Sequence, residues 1–197
     1  MNDRDLNILV IDGNPDRGTV ILEGLSDAGY LRVTRTSDMF NLVRRIYAQD
    51  PDVILIDLEN PNRDTIEQMF QVSRIVRRPI AMFVDQSDTA TIQAAVDAGV
   101  SAYVVDGLKR ERVRPILDLT VSRFNAFAKL ERELEVAKEA LVERKVIERA
   151  KGILMRQRGV SEDEAYNLLR RAAMNEKRKL LEIAQSVVTA ANLLDDG

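Results

Sequence analysis

The chain of 197 residues contains neither cysteine nor histidine. Without cysteine there are no disulfides and no thiolate zinc sites. Without histidine there is no imidazole metal site and no imidazole acid–base catalysis. Long apolar runs are missing too. The charged opening Met1 to Asn7 leads into only four apolar residues, Ile8 to Ile11. That pattern predicts neither a signal peptide nor a membrane anchor, and hence a cytoplasmic protein. A composition of 45% hydrophobic and 31% charged residues fits a globular chain with room for one large or two small domains.

What is present is patterned. Ile8-Leu9-Val10-Ile11, a weaker Leu31-Arg32-Val33, Val53 to Ile56, Ile80 to Val84 and Ala102 to Val105 are short apolar runs. Amphipathic helix-length stretches such as Asp16 to Ala28 and Thr89 to Ala98 separate them. Runs apolar throughout suit strands covered on both faces, so five βα units of an open parallel sheet are predicted. In such a sheet the ligand crevice lies at the carboxyl ends of the strands.

After Pro115 the turn signals stop. Phe127, Leu130, Leu134, Ala137 and Leu141 recur at spacings of three and four, which predicts a coiled-coil seam on a long helix. The seam suits a second copy of the chain, making a homodimer, or else the chain's own later helices. Gly159 then reads as a helix C-cap, and Ser161-Glu162-Asp163-Glu164 as a capping box. Ala165, Leu168, Leu169 and Ala172 form one apolar stripe, and Leu180, Ile183, Ala184, Val187, Val188 and Ala191 another. Small residues at Ala150, Ala165, Ala172 and Ala184 would let three helices pack closely.

Charge is distributed unevenly. Residues 143–182 carry eleven basic and seven acidic side chains, +4 within a chain of formal charge −3. A basic module on an acidic carrier suits a polyanion-binding unit; solvated helix faces are the ordinary alternative.

The stretch Glu143 to Val188, with ERAKGILM followed by a glycine and SEDEAYNLLRRAAM, resembles the ANTAR domain, the RNA-binding module of the AmiR and NasT antitermination regulators. The preceding part resembles a response-regulator receiver over its whole length. The resemblance implies a fold class: an α/β, flavodoxin-like receiver with a five-stranded parallel sheet at 5–119. A coiled-coil linker helix at 120–135 and an all-α three-helix ANTAR domain at 136–197 follow. It also implies binding to leader-mRNA hairpins. The candidate contacts are Lys151, Arg156, Arg158, Arg170, Arg171, Lys177, Arg178 and Lys179, with Tyr166 the module's one aromatic. The dimer seam is Phe127, Leu130, Leu134 and Leu141. No enzymatic constellation is visible, and no membrane or DNA partner is expected.

Phosphorylation in receivers takes place on an aspartate closing the third strand, the position of Asp57. Pro61 and Asp64 match the loop after it. The matching pattern is nonetheless damaged. Receivers offer two acids after the first strand, whereas this chain has Asp12 followed by Gly13, with Glu59 or Asp16 as partial substitutes. The phosphate-binding Ser or Thr aligns with Val84 and the Lys with Asp106. Reversing the sign at that lysine opposes a phosphorylated state by roughly 4 kcal/mol per charge pair at 4 Å and an effective dielectric of 20. Asp57 is therefore expected to be a relic or structural acid. At most a weak Mg²⁺ site at Asp12 and Asp57 is expected, and no other cofactor. Signal input would then come from docking. Likeness to the NasT branch, in ILIDLENPNRDT and AGVSAYVVDGLKRERVRPILD, implies a nitrate- or nitrite-binding sensor protein (NasS-like) around Asp85-Gln86-Ser87 and Asp106-Gly107-Leu108. A phosphorylation-activated, Mg²⁺-dependent antiterminator and a DNA-binding response regulator are the competing readings.

Overall fold

The computed structural model describes residues 5–38, 41–59, 61–106 and 108–195. Asn60, in the stretch matched to the receiver loop after Asp57, Gly107, in the expected docking segment, and residues 196–197 lie outside the described residues, as do residues 1–4. The chain forms two compact units, Met1–Ala128 and Lys129–Gly197.

In the first unit, β1 (Ile8–Asp12), β2 (Val33–Thr36), β3 (Val53–Leu58), β4 (Ile80–Val84) and β5 (Ala102–Val105) form one parallel sheet in the order β2-β1-β3-β4-β5. Helices α1 (Pro15–Asp27), α2 (Leu42–Gln49), α3 (Arg63–Val76) and α4 (Thr89–Asp97) connect them. β1, β3 and β4 are buried at every position, the condition that continuous apolar runs anticipate. β2 departs from expectation. It begins at Val33, two residues later than Leu31, whose side chain is 89% exposed. As an edge strand it has one neighbour and one covered flank, so no apolar run marks it.

Two apolar layers flank the sheet. Leu9, Ile11, Ile54, Ile56, Met69, Phe70 and Met82 pack on one face, and Ile8, Val10, Ile21, Leu25, Leu55, Phe83 and Leu117 on the other. The alternation of successive residues between the two layers follows from the strand period of two. β1 and β3 pair in a register that sets Asp12 beside Asp57. Both carboxylates therefore emerge at the same end of the sheet, where the strand order reverses.

Helix α5 runs from Arg110 to Arg158. Pro115 stands inside it, not before it; the proline is exposed, so the carbonyl left without a donor can meet water. The helix passes uninterrupted through residues 119–120 and 135–136, where domain boundaries were expected.

In the second unit, the end of α5, α6 (Glu162–Glu176) and α7 (Leu180–Asp195) enclose a small core of Ala150, Leu169, Ala173, Ile183 and Ala184. The α6 stripe is centred one residue further on than expected: Ala173 is buried and Ala172 only partly so. Gly159 has φ +65° and its N–H donates to the Met155 carbonyl at 3.0 Å, ending α5. The Ser161 capping box opens α6 in both of its hydrogen bonds. Among the described residues, no helix is long and apolar enough to cross a membrane.

Candidate nucleic-acid interface and acid pocket

The acid pocket is assembled by three strand ends and the start of α1. Asn14 caps α1, accepting from the Asp16 N–H at 3.0 Å, and Pro15 fills the first helical position. One half-turn later, Arg17 reaches into the sheet end. Its Nε donates to Asp57 Oδ2 at 2.8 Å and its Nη2 to Asp57 Oδ1 at 2.8 Å, a bidentate fork. Its remaining Nη1 donates to Asp85 Oδ1 at 2.5 Å. Asp57 is buried. The Arg17 guanidinium is held further into its charged form, chiefly by its hydrogen bond to Asp57, although burial opposes this.

Asp12, also buried, has its own cation. Arg35, on the edge strand β2, donates from Nε at 2.6 Å and from Nη2 at 2.8 Å to its two oxygens. Both carboxylates expected to offer oxygens to Mg²⁺ are thus forked by arginine. The expected substitutes are elsewhere: Glu59 accepts from Asn14 Nδ2 at 2.8 Å, and Asp16 is exposed. Val84 is buried and offers no donor, and Asp106 is exposed at φ +48°. Among the described residues no three acids stand together as a metal site. Mg²⁺ needs several oxygens in near-octahedral array, and with both carboxylates taken by arginine this set does not supply them. The weak Mg²⁺ site expected at Asp12 and Asp57 does not fit the residues present.

Sequence reasoning found Asp12 and Asp57 but missed Arg17 and Arg35. A signal existed. Two buried acids deprived of the family lysine require some other counter-charge, and Arg17, just past the first strand, stands within reach of the pocket.

On the second unit, the eight expected RNA contacts separate into two groups. Lys151 is buried, its Nζ 2.8 Å from Glu148 Oε1 and 2.6 Å from Glu162 Oε1. It ties α5 to the first turn of α6, a structural role in place of the phosphate contact expected. Hydrogen bonds to Glu148 and Glu162 raise its pKa, and the same bond lowers that of Glu162. Arg178 likewise departs from expectation. It donates to Glu176 at 3.0 Å, to Glu182 and to Ser186 Oγ at 3.2 Å, bracing the α6–α7 turn. The turn needs bracing because Lys177 caps α6 at φ +54°, a conformation L-residues seldom adopt.

The other six, Arg156, Arg158, Arg170, Arg171, Lys177 and Lys179, are exposed and make no ion pair among the described residues. Tyr166 is 41% exposed and Met174 69%. At four-residue spacing, Tyr166, Arg170 and Met174 share the solvent face of α6. That face presents a ring, a guanidinium and a thioether to solvent.

The seam residues Phe127, Leu130, Leu134 and Leu141 are each more than half exposed.

Known families match both units. The response regulator receiver domain family matches residues 8–118, and the ANTAR domain family residues 135–188. The chain belongs to the receiver–ANTAR response regulators. The Transcriptional regulatory protein PdtaR of Mycobacterium tuberculosis is 31% identical over 168 residues, 85% of this chain and 82% of that protein. The Nitrate regulatory protein of Klebsiella oxytoca is 35% identical over 80 residues, 41% of this chain but only 20% of that protein. The Aliphatic amidase regulator of Pseudomonas aeruginosa is 25% identical over 70% of each chain. Among solved structures, the CheY-like receiver domain protein of Methanospirillum hungatei shares the fold, with a TM-score of 0.53 and 14% identity over 62% of this chain and 98% of that one. The signal receiver domain of a modulated diguanylate cyclase from Desulfovibrio desulfuricans does so equally, at 0.53 and 15%, over 62% of this chain and 98% of that one. The membership confirms the AmiR/NasT-type resemblance and the expected fold class.

Proposed function

We propose that this receiver–ANTAR protein is a transcription antitermination regulator that binds hairpins in leader mRNA through its second unit. The observation that carries the reading is the set of exposed cations at Arg156, Arg158, Arg170, Arg171, Lys177 and Lys179, without an ion pair among the described residues, on a closed three-helix unit. Phosphates would be held by these cations, and an unpaired base could stack on Tyr166. Holding hairpins folded keeps a terminator from forming. The chain acts by binding, not as an enzyme, and works in the cytoplasm.

Two copies would join through Phe127, Leu130, Leu134 and Leu141, so that two modest RNA sites act together by effective concentration. The first unit would take its signal from a docked partner, a nitrate- or nitrite-binding sensor protein, in place of a phosphoryl group. The arginine forks on Asp12 and Asp57 support that choice over a phosphorylation-activated regulator. The relative called Nitrate regulatory protein supports the nitrate reading over its matched segment only. A DNA-binding regulator would read bases from a recognition helix. On α7, Asn192 is instead engaged by Arg149 at 2.8 Å and Ser186 by Arg178 at 3.2 Å.

The test is a titration of the full chain with a tandem-hairpin leader RNA against duplex DNA of equal length as competitor. The RNA is expected to stay bound in excess DNA; displacement of RNA by DNA would overturn the reading.

A further inference from the structure

The first unit carries a second feature: Asp57, at the position of a phosphoacceptor, already has an occupant. We propose that Arg17 is a tethered counter-cation. It takes the place of a divalent metal at Asp57 and ties the β4–α4 loop to the pocket through Asp85. The side chain bridges three segments, the start of α1, the end of β3 and the residue after β4. Both Asp57 oxygens are engaged, so a metal or a phosphoryl donor must compete with the guanidinium for them.

A second observation shows that the arrangement is built into the chain. A Cβ added to Gly18 would lie 2.6 Å from Asp12 Oδ2 and 2.9 Å from Arg35 Nη2. Gly18 has no side chain, and the space this leaves lets the Asp12 carboxylate and its arginine lie under α1. Two buried aspartates in adjacent register, two forked arginines and one glycine that makes room balance both buried charges without metal, and the less buried Asp85 shares Arg17 as a third acid. The loop tied by Arg17 continues to Ser87, whose Oγ lies 3.2 Å from the Tyr103 hydroxyl on β5. Holding Asp85 therefore holds a loop that is hydrogen-bonded onward to the far edge of the sheet. In this receiver the loop position is set by a residue of the chain itself and not by a transferable group.

The experiment is calorimetric titration of MgCl₂ into the full chain, wild type against Arg17→Gln, with circular dichroism to verify folding. Wild type is expected to give no saturable binding at millimolar Mg²⁺. Arg17→Gln is expected to gain it and the Arg17→Gln/Asp57→Asn pair to lose it again. Equal Mg²⁺ affinity in wild type and Arg17→Gln would overturn the proposal, and so would a folded Arg17→Gln that binds none. Should Arg17→Gln fail to fold, urea denaturation of the double variant decides. Recovery of folding on adding Asp57→Asn is expected, because the stranded carboxylate is then gone. No recovery would overturn it. None of these readouts depends on RNA.

Discussion

At the scale of single residues, the same chemical group takes different roles according to burial and partner. Arg17 and Arg35 neutralise buried carboxylates, whereas Arg170 and Arg171 face solvent. Leaving Asp57 buried without Arg17 would cost on the order of 3 kcal/mol, since an uncompensated interior charge is the expensive case. Lys151 was legible in the sequence as a cation but not as a buried one, because charge patterning does not reveal that Glu148 and Glu162 converge on it. Its replacement makes a clean test. Lys151→Met is expected to lower the unfolding temperature near neutral pH with little change in the salt dependence of RNA binding. The sign with pH follows from Glu162, whose folded-state pKa is lowered from 4.5, chiefly by the hydrogen bond from Lys151. Its contribution is complete above 4.5 and is lost as pH falls through the lower folded value. The deficit of Lys151→Met against wild type should therefore shrink below pH 4.5. A deficit that stays constant into acid would show that the ion pair is not what stabilises the α5–α6 junction.

At the scale of elements, the strands and caps were readable and the edges were not. Continuous apolar runs located β1, β3, β4 and β5, and Gly159 with Ser161 located the α5–α6 turn to the residue. β2 was displaced because this edge strand is largely open to water, with Thr34 and Arg35 exposed and only Thr36 buried. The start of α5 was missed because Pro115 reads as a boundary, yet it is accommodated at the exposed beginning of a 49-residue helix. Gly152 lies well inside that helix. A Cβ there would meet only Arg156 Nη1, at an ordinary 3.8 Å. Gly152→Ala is thus expected to stabilise the second unit by about 0.5 to 1 kcal/mol, read from its urea midpoint. If stability falls instead, the helix is not straightforward at that point.

At the scale of the whole molecule, charge and apolar surface are divided between tasks. The basic module sits on an acidic chain, which favours a polyanion partner for one unit only. The exposed seam supports the proposed dimer, because Phe127, Leu130, Leu134 and Leu141 recur on one helix face and each is more than half exposed. Leu130→Glu with Leu134→Glu is expected to convert a dimer to a monomer in sedimentation equilibrium while leaving the first unit folded. Unchanged mass would remove the seam from the account. The family and fold were legible in the sequence because strand runs, caps and long motifs are local. The arginine forks were not, because they depend on which strand ends the sheet order brings together.

The central claim is that exposed cations of the second unit grip folded transcript. It is tested most directly by titrating a tandem-hairpin leader RNA at several salt concentrations with the wild type and with Arg170→Ala, Arg171→Ala and Lys179→Ala combined. Weaker binding is expected, with a salt slope reduced by roughly 0.7 to 0.9 per lost phosphate contact. Wild-type affinity and slope in the triple variant would contradict it.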